Sequence, residues 1–127
     1  MSLEKIQKDV GDWLRKVGLE THPIERGLRL CEETLELAQS VGVPREQVHA
    51  LVDYVFNRPV GDPSQEISGT MIGLAALANS LGESIEKVTT QELERLDTPE
   101  RISKARLRDA EKFGAGVGFV LDLPEED

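Results

Sequence analysis

The 127-residue chain has a net charge of −9, with 39% hydrophobic, 31% charged and 4% aromatic residues. That suits one aliphatic core and is too apolar for a disordered chain. So acidic a balance excludes a nucleic-acid or anionic-membrane binder, and a polyanionic ligand would need a divalent cation or clustered arginines to offset its charge.

Alternating runs of β-branched and aromatic residues are nearly missing, so an all-α fold is expected. The single cysteine, Cys31, sits among apolar helical positions and is read as a small buried side chain in a reduced, cytoplasmic setting. No run of residues has the pattern of a transmembrane span or a signal peptide. No internal repeat or long linker divides the chain, and residues 1–127 are expected to form one domain.

The first element, "LEKIQKDVGDWLRKV", places Leu3, Ile6, Val10, Trp13, Leu14 and Val17 at steps of three and four, with Gly18 as the stop. The second runs from His22 or Pro23 to Val41, with Pro23 in the first turn and Gly42 as terminator. The third starts at Pro44 and aligns Val48, Leu51, Val52, Val55 and Phe56. After the turn-rich "RPVGDP", Asp62 reads as an N-cap, with Pro63 at the first helical position and Gln65 in a capping box.

The fourth helix carries no charge between Ile67 and Gly82. At about 100° per residue, Gly69, Gly73, Ala76 and Ser80 share a narrow strip, and Ile67, Met71, Leu74, Leu77, Ala78 and Leu81 occupy the opposite side. Such a helix is expected to be central and packed nearly all round, with its strip available to a partner subunit. A fifth helix is read in "SIEKVTTQELERL" and a sixth in "PERISKARLRDAEKF", opened by Thr98 and Pro99. The tail, residues 114–127, is too glycine-rich for a helix, which leaves a short strand, an arm or a mobile end.

On the second helix, Glu32, Glu33 and Glu36 fall within an arc of about 100°, bordered by Glu25, Arg26, Arg29 and Ser40. Alone, this is the wet face of a surface helix, with Arg29 able to pair at spacings of three and four. Glu66 changes the weighting: it is the one charge at the entrance of an otherwise apolar helix. A buried carboxylate is costly unless paired or metal-bound, although the first turn of a helix also favours an acidic residue. Carboxylates from two facing helices suit Mg²⁺ or Mn²⁺.

"RLCEETLELAQ" followed by "GDPSQEISGTMIGLAALANSLG" resembles the all-α nucleoside triphosphate pyrophosphohydrolases of the MazG-like superfamily, and within it a branch of short phage and bacterial proteins. The family's mark is an EExxE helix followed roughly thirty residues later by an ExxD helix, and the likeness covers residues 23–96. It implies a bundle of four core helices with an extra C-terminal helix, assembled as a homodimer or homotetramer. It implies Mg²⁺, replaceable by Mn²⁺, held by Glu33, Glu36 and Glu66, with Glu32 as a further ligand or as the base acting on water. The substrate implied is a nucleoside triphosphate, cleaved to a monophosphate and pyrophosphate. One departure stands out: Gly69 occupies the position of the family's ExxD aspartate. The alternative is a catalytically weak or inactive nucleotide-binding or regulatory oligomer on the same fold.

Basic groups for the phosphates are sought in Arg26 and Arg29, one and two turns before the glutamates, and in "RISKARLR", above all Arg101 and Lys104. Asn79 is the candidate polar contact to a base. Trp13 reads as core, and His22 and His49 as surface or capping residues. "GAGVG" lacks the lysine and the preceding strand of a phosphate-binding loop.

Overall fold

The computed structural model describes residues 2–19 and 21–117. Six helices span them: α1 (Leu3–Val17), α2 (Pro23–Ser40), α3 (Arg45–Phe56), α4 (Pro63–Leu81), α5 (Ile85–Leu96) and α6 (Pro99–Gly114). No strand occurs among the described residues, so the fold is all-α there. The expected arm at 114–127 lies mostly outside them, and Gly114 itself closes α6.

The helix ends follow local chemistry. Ser2, Asp62 and Thr98 adopt extended N-cap conformations, and their side chains accept the amide hydrogens of Lys5, Gln65 and Arg101, respectively. The Ser84 hydroxyl accepts from Lys87 N–H at 3.2 Å at the start of α5. His22 is a capping residue, its Nδ1 accepting from Ile24 N–H at 3.2 Å. At the other ends, Gly18 (φ 78°) and Gly82 (φ 68°) take the left-handed conformation that stops α1 and α4.

The chain divides into two compact units, Met1–Cys31 with Thr89–Asp127, and Glu32–Val88. In the first, α1 and α6 pack together and Val17 is buried. Arg106 reaches from α6 to the last turn of α1, where Nε donates to Val17 O and Nη2 to Lys16 O, both at 2.7 Å. A cation there satisfies carbonyls that the helix itself leaves without donors. The Trp13 indole N–H donates to Leu96 O at 3.0 Å, so this residue, read as core, is half-buried with its polar edge tied to the end of α5.

The second unit is poorly covered. No residue of α3 is buried, and in α4 only Ala78 is. Phe56 is 84% exposed, Ile67 72% and Ile72 70%. The expectation that α4 would be packed nearly all round is therefore corrected for the single chain. The physical reason is numerical: a unit with so few helices cannot surround an element that is apolar on most sides. Cys31 is also exposed, contrary to its reading as a buried residue.

Two outcomes are expected. Arg106→Met keeps the aliphatic stem but removes both charge-assisted hydrogen bonds, lowering unfolding stability by about 2 kcal/mol in urea titrations. Asp12 accepts from Lys8 Nζ at 2.9 Å and from Arg15. These bonds, the Lys8 bond first, hold its carboxyl below the usual aspartate range, and the same bond raises Lys8. A depressed folded-state pKa contributes stability above the unfolded-state pKa, lost as pH falls through the folded value. NMR titration should place the Asp12 midpoint below that of free aspartate, and Lys8→Met should raise it.

Candidate metal centre on the second helix

The candidate site lies where α2 presents its acidic face. Glu32, Glu33 and Glu36 each offer a carboxylate oxygen, and these oxygens lie within 4.8 Å of one another. The helix makes this possible, because positions 32, 33 and 36 are separated by steps of one and three and stay on one side. Glu32 is half-buried, while Glu33 and Glu36 are exposed. Mg²⁺ binds oxygens at about 2.0–2.1 Å, so ligand oxygens around it stand roughly 3–4 Å apart. The oxygens of this trio are hard and anionic, the donor type such an ion takes.

Glu66 is not part of that trio. Its carboxylate is folded back toward the preceding loop, with Oε1 2.6 Å from where a Cβ on Gly61 would stand. A side chain at position 61 would make the flexible end of Glu66 shift. Asp62 has its carboxylate engaged as the α4 N-cap, accepting from Gln65 N–H at 3.2 Å. At Gly69 a built Cβ meets no heavy atom within 4 Å.

The basic candidates are placed as follows. Arg26 and Arg29 pair with Glu25, whose Oε1 is 3.6 Å from Arg26 Nη2 and 3.4 Å from Arg29 Nε. Glu25 is 2% exposed, and its Oε2 and the Nε of Arg26 have no hydrogen-bond partner. Arg29 also donates to Val117 O. The charge of these arginines is thus partly engaged within their own unit. Arg101 is half-buried and Lys104 exposed on α6, and Asn79 is exposed on α4. Arg101 and Lys104 belong to one unit and Asn79 to the other.

Sequence reasoning placed Glu25 on the rim of the acidic arc and missed that it is the one buried charged residue among those described. The available signal was its spacing of four from Arg29. Elsewhere, a groove of about 350 Å³ beside Trp13 and Leu93 is lined by charges of both signs, and Lys16 there is paired with Asp97 at 2.9 Å.

Compared with known proteins, the chain matches no family model, no curated protein and no solved structure. Among the described residues, no helix is long and apolar enough to cross a membrane.

Glu25→Ala should lower stability by about 2–4 kcal/mol in chemical denaturation, because it leaves two guanidinium groups, one only 13% exposed, without that counter-charge. Glu25→Gln should recover part of the loss by preserving shape and hydrogen-bonding capacity.

Proposed function

We propose that this protein is a Mg²⁺-dependent nucleoside triphosphate pyrophosphohydrolase of MazG-like type, working as a homodimer or homotetramer. The observation that carries the reading is the clustering of three carboxylate oxygens within 4.8 Å on α2. The resemblance of the EExxE and Glu66 segments to the MazG-like pattern supports it. So does the charge balance: an acidic protein takes up a polyanion through a cation rather than through a basic surface.

In this reading Glu33 and Glu36 would hold the ion, and Glu66 would add a ligand from α4 if its carboxylate turned away from Gly61. Bound there, Mg²⁺ would offset the triphosphate charge and polarise the attacking water. Glu32 accepts that water's proton. The water oxygen bonds to the α-phosphorus, the bridging P–O bond breaks, and its electron pair departs with pyrophosphate. Arg26 and Arg29, on the same helix as the glutamates, are the candidates for the phosphates, and Asn79 for the base.

One observation favours a second reading. Glycine at position 69, where the resembled pattern has an aspartate, leaves the ligand set one carboxylate short of that pattern. A protein so altered would bind a nucleotide or a partner and turn it over weakly or not at all.

Pyrophosphate release from a panel of nucleoside triphosphates, with and without Mg²⁺ or Mn²⁺, separates the two. The hydrolase reading expects cation-dependent release and a loss of at least a hundredfold in a Glu36→Ala, Glu66→Ala double variant. Undiminished release in that variant would sink it. Calorimetric nucleotide binding without any release would favour the second reading.

A further inference from the structure

Within the first unit, α1 and α5 leave a groove between them that takes no part in the candidate metal centre. One wall is a stripe of α1 with Asp9, Asp12 and Trp13, the other a stripe of α5 with Thr90, Leu93 and Glu94. Steps of one, three and four keep each stripe on one side of its helix. At about 350 Å³ the groove has the size of a small-molecule site. Two attachments hold its walls together. The Trp13 N–H donates to Leu96 O, and Lys16 Nζ, 2.9 Å from Asp97, joins the last turn of α1 to the residue after α5.

Its charges decide what it can hold. Four carboxylates, Asp9, Asp12, Glu94 and Asp97, face two ammonium groups, Lys5 and Lys16. Both lysines are already paired, Lys5 with Asp9 at 2.5 Å and Lys16 with Asp97, so an anion would have to break one of these pairs. Asp12 takes its bonds from Lys8 and Arg15, which stand outside the lining. Glu94 is exposed and has no ion pair among the described residues. The groove therefore has negative charge to spare, beside an indole ring whose quadrupole also attracts cations.

We propose that this groove binds a protonated aliphatic polyamine. The methylene chain lies along Trp13 and Leu93, which exclude water from it on both walls. Its ammonium groups reach Glu94 on α5 and the Asp9–Asp12 edge of α1. A bare metal ion would make no use of Trp13 and Leu93, and a monoamine would engage one wall only. The net charge of −9 adds a field that draws a multivalent cation toward the site.

The groove shares no residue with the metal centre or its candidate phosphate and base contacts, so the two readings stand or fall separately. Trp13 is the only tryptophan of the chain and lines the groove, so its emission reports there. Titrating the full chain with spermidine should change that fluorescence saturably. Butylamine, with one ammonium group, should bind at least about tenfold more weakly. Glu94→Gln should raise the spermidine dissociation constant about threefold to fivefold, the worth of one exposed ion pair, with an unchanged circular dichroism spectrum. Glu46→Gln on α3 makes the same change in net charge elsewhere and should leave the constant where it is. A constant that the two variants move equally, or that neither moves, reports attraction to net charge alone and overturns the site. So does butylamine binding as tightly as spermidine, or an unchanged emission at about 10 mM spermidine.

Discussion

The apolar sides of α3 and α4 find too little within their own unit to lie against, and much else about the protein depends on that shortage. Among the described residues, Val17, Ala78 and Glu25 are the buried ones. Burial of aliphatic surface is the main favourable term in folding, at about 25 cal/mol per Å². Helices that leave Phe56, Ile67 and Ile72 mostly in water forgo much of it. Helix propensity and capping shape each element, but they do not replace packing as the source of stability.

Where the chain does hold itself together, it relies on polar attachments between helix ends and side chains. Arg106 ties α6 to the final carbonyls of α1, and Trp13 ties α1 to Leu96 at the end of α5. Both satisfy carbonyls at helix C-termini, which would otherwise depend on water. Glu25 differs in being a carboxylate enclosed with two arginines at 3.4 and 3.6 Å. These separations are ion pairs rather than well-formed hydrogen bonds, and removing one partner would leave buried charge uncompensated.

The acidic face of α2 and the entrance of α4 belong to the same unit, yet they differ in how much the backbone dictates. Three glutamates at positions 32, 33 and 36 meet because one helix carries them, with no help from tertiary structure. Glu66 depends on the loop before α4. Gly61 admits its carboxylate, and the competing site on α2 lies on another element. Asp62 illustrates the same competition: its carboxylate caps the helix that it begins.

The sequence by itself determined the local layer. Periodicity and the punctuation of Gly18, Pro23, Gly42, Asp62, Gly82 and Thr98 marked all six helices to within a residue or two, because capping is governed by neighbours in the chain. It also determined the Glu32–Glu33–Glu36 grouping, for the same reason. Only the tertiary structure decided that α4 stands exposed, that Cys31 faces solvent, that Glu25 is enclosed and that Arg106 holds the end of α1. Each of those outcomes depends on which elements come together across long stretches of chain. An amphipathic pattern says which side of a helix seeks cover, not whether the cover lies in the same chain.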